Sequence, residues 1–69
     1  MTVKFAERLK EIRMEKNMTC KQLAAYLQVS TRLINFWERG ERECSFEMLL
    51  KISDYFDVSI DYLLGKTNF

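Results

Sequence analysis

Apolar residues recur along this chain at spacings of three and four, the period of a helix that buries one face. Phe5, Leu9 and Ile12 set the pattern for a first helix that runs through about Lys16, with Asn17 placed to leave it in the left-handed conformation. Met18 is expected to tuck into the core before the next helix. Leu23, Ala24 and Leu27 form a second stripe. Thr19 and Gln22 stand before it as a capping box, in which the hydroxyl accepts a backbone N–H three residues on and the Gln side chain reaches back. The turn is Gln28-Val29, and Ser30 caps a third helix. Val29 and Ile34 are spaced as a hydrophobic staple, which fixes the angle at which the chain enters that helix. Ile34 and Trp37 face one way; Thr31, Arg32, Asn35 and Phe36 face away or to the side. Gly40 ends the helix.

The rest of the chain continues in the same mode. Glu41-Arg42-Glu43-Cys44 is a polar loop, and Ser45 caps a fourth helix with Glu47 in its first turn, where the helix dipole favours negative charge. Phe46, Leu49, Ile52, Ser53 and Phe56 are its expected buried stripe. Asp57 takes the place of a helix-ending glycine, and Asp tolerates that conformation better than most residues. Ser59 caps a short fifth helix with Asp61 in its first turn; Ile60, Leu63 and Leu64 are its apolar positions, and Gly65 terminates it. No strand-like alternation, repeat, linker or proline interrupts the pattern. The expectation is an all-α fold of five helices in one domain over 1–69, with a core at about 5–65.

Length and composition narrow what such a fold can do. At 69 residues the chain buries only about 60% of its unfolded surface. The 48% hydrophobic content suffices for one core. No apolar run approaches the roughly 20 residues of a membrane span, and no basic-then-apolar leader points to secretion. The two cysteines, Cys20 and Cys44, lack metal-ligand spacing and have no histidine to join them, so they read as free thiols in a reducing cytoplasm. Without histidine, a Gly-rich phosphate loop or a nucleophile beside a base, the pattern speaks against an enzyme, and no cofactor or metal is expected. The net charge of +1 is unevenly spread. Residues 16–42 carry five positive and two negative side chains, a net +3; residues 43–69 carry two and five, a net −3; residues 1–15 carry +1. That polarity suits one side facing phosphates and one turned away from them.

Two short helices held at a fixed angle by a tight turn, here over about 19–40, are the helix-turn-helix of DNA-binding proteins. The start of the third helix can enter a major groove, where Arg32 can fork onto the O6 and N7 of guanine and Asn35 can pair with adenine or a phosphate. The N-terminus of the second helix can approach a phosphate with Thr19 as hydroxyl donor, and Lys21, Arg39 and Arg42 can hold phosphates on either side.

ERLKEIR near the start, LAAYLQVS, the INFWERGER run and FDVSIDYLLG near the end occur together and in register. In these stretches the chain resembles the Cro/repressor (Xre-type) helix-turn-helix regulators of phages and bacteria. The resemblance covers roughly residues 5–65. It implies a five-helix, lambda-repressor-like DNA-binding domain that binds a near-palindromic operator in double-stranded DNA as a homodimer, with no small-molecule ligand and no membrane partner. It also implies that the groove-reading positions fall on Thr31, Arg32, Leu33, Asn35 and Phe36. The phosphate positions fall on Thr19, Cys20, Arg39, Glu41 and Arg42, and Arg13 pairs with Glu38 as a structural ion pair. This chain carries Cys20 where a glutamine is common, Gln28 in place of a turn glycine and Cys44 in place of a proline. Leu33 and Phe36 are apolar where polar side chains are common. They either contact thymine methyl groups, pack inward, or form a patch for a protein partner. A protein-interaction module of antirepressor or antitoxin type is therefore the rival reading. The apolar, acidic C-terminal end is the expected dimer surface, with Tyr62, Leu63 and Phe69 as anchors and Tyr55 or Phe56 nearby.

Overall fold

The computed structural model describes residues 4–67, and the expected anchor Phe69 lies outside them. The helices are α1 (Phe5–Glu15), α2 (Cys20–Leu27), α3 (Thr31–Glu38), α4 (Phe46–Phe56) and α5 (Ile60–Leu64), and among the described residues there is no strand.

Four of the five helix starts are capped by a side chain. Thr19 Oγ1 accepts from the Gln22 N–H at 3.0 Å while Gln22 Oε1 accepts from the Thr19 N–H at 2.8 Å, the full reciprocal box. Ser30, Ser45 and Ser59 accept from the N–H groups of Leu33, Met48 and Tyr62 at 3.1, 3.1 and 3.0 Å. Each such cap stabilises its helix by about 1 kcal/mol. The exits are left-handed at Asn17, Gln28 and Asp57, with φ of 56, 61 and 54°. Gln28 therefore holds a conformation that glycine takes at no steric cost. The end of α2 gains a compensating partner from α4, where Lys51 Nζ donates to the Leu27 carbonyl at 3.2 Å. At Gly65 a side chain is excluded twice over, by φ of 85° and by Lys4, whose Cβ and Cγ would lie 2.9 Å from an added Cβ.

Every helix contributes to one buried cluster: Phe5, Leu9 and Ile12; Leu23, Ala24 and Leu27; Ile34 and Trp37; Leu49, Ile52 and Phe56; and Leu63. The helices pack α2 on α3, α1 on α3, and α5 on both α1 and α4. Ring contacts reinforce two of these joints and tie α2 to α4. Phe5 meets Trp37 edge-on at 6.4 Å between centroids, Tyr26 stacks on Tyr55 at 3.6 Å, and the Arg8 guanidinium lies 4.5 Å above the Tyr62 ring.

Three expectations are corrected here. Phe46, assigned to the buried stripe of α4, is 86% exposed. It is the first residue of the helix, and Cα–Cβ bonds lean toward a helix N-terminus, so its ring projects past the edge of the core. Leu50, one turn on, shares that outward face and is 54% exposed. Leu63, assigned to a dimer surface, is fully buried. A five-residue helix has room for one inward position; Leu63 takes it, and Ile60 and Leu64 are left half-buried on either side. Phe56 is buried as well and is closed to a partner.

Candidate nucleic-acid interface

Helix α3 is divided cleanly between two environments. Ile34 and Trp37 point into the core. Thr31, Arg32 and Asn35 are exposed, and Leu33 and Phe36 are half-buried. Leu33 packs partly on the core and also lines an open recess with Ser30, Arg32, Phe36 and Arg42. Of the five expected groove-reading positions, three therefore present exposed side chains, and the two apolar ones are partly covered.

Phe36 is covered by charge. The guanidinium carbons of Arg32, Arg39 and Arg42 lie 5.6, 5.5 and 5.3 Å from its ring centroid. The first two belong to the same helix face, four residues before and three after Phe36, which are neighbouring positions on a helix. Arg42 arrives through the following loop. Gly40 adopts a φ of 73°, and the Glu41 N–H closes back onto the Phe36 carbonyl at 2.9 Å. Sequence reasoning placed Arg32 on a base edge and Arg39 and Arg42 near phosphates, but missed that they converge on one ring. The spacing of Arg32, Phe36 and Arg39 carried that signal; the return of Arg42 depends on the loop.

The inner end of α3 is braced by the opposite chemistry. Arg13 Nε and Nη2 donate to Glu38 Oε2 and Oε1 at 2.7 and 3.1 Å, and Nη1 donates to the Met18 carbonyl at 2.7 Å. Both side chains are largely buried, 13% and 8% exposed. The Glu38 hydrogen bonds push the Arg13 pKa up, which keeps the guanidinium charged although its burial works against that. One side chain thus ties the end of α1, the segment leading into α2, and the end of α3. The Met18 contact had no signal in the sequence.

Among the expected phosphate positions, Thr19 and Lys21 are exposed at the start of α2, and Arg39 and Arg42 are exposed beyond α3. Arg39 Nε also meets Glu41 Oε2 at 3.0 Å, a solvent-exposed pair. Cys20 stands apart from these. Its side chain packs on the core and its thiol donates to Glu38 Oε1 at 3.9 Å, so the sulfur turns toward the brace and away from solvent. What it can offer a phosphate is its backbone N–H, which as a first-turn donor has no acceptor within the helix. The other thiol, Cys44, is half-buried, and burial pushes its pKa up, so it stays protonated at neutral pH. Among the described residues no three His, Cys, Asp or Glu side chains gather where they could hold a metal ion, and no helix is long and apolar enough to cross a membrane.

Comparison with known proteins agrees with this geometry. A family model described as helix-turn-helix matches residues 9–63. The transcriptional activator BcrR of Enterococcus faecalis is 44% identical over 63 residues, 91% of this chain and 31% of its own length. A transcriptional regulator from Listeria innocua superposes with a TM-score of 0.89 at 34% identity, over 94% of this chain and 61% of that one. The P22 c2 repressor, solved in complex with a synthetic operator, superposes with a TM-score of 0.83 at 33% identity, over 91% of this chain and 96% of that one. The chain spans about half or less of the curated relatives it matches, 31% of BcrR and 56% of the YqaE regulator of Bacillus subtilis. The fold is that of the lambda- and P22-type repressor DNA-binding domains, and with the helix-turn-helix model covering most of its length the chain belongs to the Xre-type helix-turn-helix regulators.

Proposed function

We propose that this chain binds double-stranded DNA sequence-specifically in the cytoplasm, as a homodimeric transcriptional regulator of repressor type. In this reading α3 lies in the major groove, with Arg32 and Asn35 on base edges and Thr31 beside them. Thr19, the Cys20 backbone N–H, Lys21, Arg39 and Arg42 hold the flanking phosphates. The observation that carries it is the set of arginines on the exposed side of α3. Among the described residues, Arg32 and Arg42 have no carboxylate partner, and three guanidinium groups share one small surface. With only Arg39 paired, to the exposed Glu41, a surface that keeps the other two guanidinium charges uncompensated is suited to a polyanion.

The rival reading, a protein-binding patch built on Leu33 and Phe36, requires an open apolar surface. Leu33 is partly packed on the core and Phe36 lies beneath guanidinium groups, which leaves that reading without support.

For the dimer, the large apolar side chains exposed among the described residues are Met14, Tyr26, Phe46 and Leu50; of these Phe46 and Leu50 share one face of α4, and Phe46 lines a mainly apolar recess with Phe5, Glu43, Cys44, Leu49 and Leu64. We place the two-fold contact there, and keep half-buried Tyr62 but not Leu63 as a further candidate. A C2 arrangement would set two copies of α3 about 34 Å apart, one turn of DNA. The patch is small, which favours a weak dimer completed on DNA.

The deciding experiment is titration of generic and selected duplexes across salt. Affinity for both should fall steeply as salt rises, since each neutralised phosphate releases counterions. No binding to either duplex at low salt would overturn the reading. For assembly, sedimentation with and without a palindromic duplex should give two chains per duplex for the wild type, and Phe46→Ser should weaken that stoichiometry without unfolding the chain. A one-to-one complex of the wild type on a palindrome would sink the dimer.

A further inference from the structure

We propose that Phe36 is a positioning residue for the arginine surface: its ring gathers Arg32, Arg39 and Arg42 into one guanidinium layer, and DNA meets the arginines and not the ring. The proposal rests on the DNA-binding reading for its consequence, but its geometry stands in the free protein.

Three observations converge. All three guanidinium groups lie within the roughly 6 Å at which a cation is drawn to the face of an aromatic ring. Phe36 is half-buried, yet it is absent from the partly buried apolar side chains that pack on the core, which include its neighbour Leu33. Its cover is therefore the arginines and not the hydrophobic interior. Finally, the backbone closes on the same residue, because the Glu41 N–H bonds to the Phe36 carbonyl and so brings Arg42 back over the ring.

The physical logic is one of preorganisation. An arginine carries many rotamers, and holding it in one orientation for a phosphate or a base costs conformational entropy at binding. Three arginines on one small surface also repel each other. A ring with a negative face offsets part of that repulsion before DNA arrives, without neutralising any charge as a carboxylate would. A carboxylate at position 36 would order the same arginines and cancel part of the attraction to phosphate. A phenyl ring orders them and leaves it intact. The same geometry argues against the ring as a reader of thymine methyl groups, since a base would have to displace a guanidinium to reach it.

The test separates ring electrostatics from ring size. Chains of all 69 residues carrying phenylalanine with zero, one, two or three ring fluorines at position 36 keep nearly the same shape while the negative character of the ring face declines. Affinity for both a generic and a selected duplex should fall progressively across the series, by about five- to tenfold at three fluorines. Phe36→Tyr should stay within about twofold of wild type and Phe36→Leu should lose about tenfold. In the DNA-free protein, NMR should show the side-chain N–H and Cδ protons of Arg32, Arg39 and Arg42 shifted by the ring current, with the shift lost in Phe36→Leu. Replacing operator thymines by uracil should weaken wild type and Phe36→Leu by the same factor. Flat or rising affinity across the fluorine series, unshifted arginine protons, or a uracil effect absent only in Phe36→Leu would each overturn the proposal. Unfolding of Phe36→Leu would do so too, by making the ring a core residue. Failure of the wild type to bind any duplex at low salt is a separate outcome: it removes the DNA reading, while the arginine proton shifts still decide whether the ring gathers the guanidinium groups.

Discussion

Two groups of arginines flank α3 and end in opposite electrostatic states. At its inner end Arg13 is largely covered, held by both oxygens of Glu38 and by the Met18 carbonyl. On its outer face Arg32, Arg39 and Arg42 surround a phenyl ring, and only Arg39 has a carboxylate beside it, in an exposed pair with Glu41. The inner guanidinium is satisfied within the fold and has nothing left to offer a ligand. The outer ones are ordered by the ring, and Arg32 and Arg42 keep their charge without a carboxylate partner. The contrast shows how one residue type serves architecture in one place and recognition in another, and that the partner decides which. A buried carboxylate turns an arginine into a strut; an aromatic face leaves its charge available.

The strongest way to break that contrast is to attack the inner pair. Glu38→Gln keeps the shape and leaves the largely covered Arg13 charge without its partner. Removing one member of a well-buried pair costs about 3–5 kcal/mol. In a chain of this size each kcal/mol moves the melting temperature by about 4–8 °C, so thermal unfolding should drop by at least about 12 °C. A drop under about 4 °C would place Arg13 with the exposed arginines and erase the distinction. The outer group should behave in reverse. Arg32→Ala should melt within about 0.5 kcal/mol of wild type, because the side chain is exposed. It should lose roughly 1–3 kcal/mol of affinity on a selected operator and relax preference at one base pair. Equal losses on selected and random duplexes would make it a phosphate contact.

The turn that aims α3 lies between these two groups and offers a smaller test. Gln28 sits at φ of 61°, where a side chain costs about 1 kcal/mol and glycine costs no steric energy. Gln28→Gly should raise the melting temperature by up to about 8 °C. If the Arg13–Glu38 brace sets the angle of α3, DNA affinity should not change. A loss of affinity despite higher stability would show that the turn, and not the brace, aims the helix.

These comparisons also show which parts of the molecule were legible from residues alone. Helix starts were, because a capping serine or threonine acts on an N–H two or three residues away, and all four expected side-chain caps form. The left-handed exits at Asn17, Gln28 and Asp57 were local in the same sense. Phe46 and Leu63 were misjudged for one reason: apolar spacing defines a face only where a helix has turns on both sides. Phe46 is the first residue of its helix, and Leu63 lies in a helix barely longer than one turn. The pairing of Arg13 with Glu38 came from family resemblance and not from spacing, since 25 residues separate the two. The arginine cluster was half legible. Arg32, Phe36 and Arg39 share a helix face by their spacing, but Arg42 joins them only because Gly40 turns the chain back.

The smallest expected effect concerns the one outer arginine that has a carboxylate. Arg39 and Glu41 meet at 3.0 Å, but their side chains are 58% and 50% exposed, and water screens such a pair. Glu41→Gln should therefore change stability by no more than about 0.5 kcal/mol, in contrast to the chemically identical substitution at Glu38. Its effect should fall on binding. Glu41 is a negative charge set among groups that face phosphates, and at a separation of about 7 Å in water one such repulsion amounts to roughly 0.6 kcal/mol. Removing it should raise affinity for any duplex about two- to threefold at low salt, and the gain should fade as ionic strength rises. Calorimetric melting and duplex titration at two salt concentrations measure both halves. A large drop in melting temperature, or weaker DNA binding at low salt, would mean that the Glu41 carboxylate holds Arg39 in place as Glu38 holds Arg13. The ring of Phe36 would then not be what orders the outer arginines.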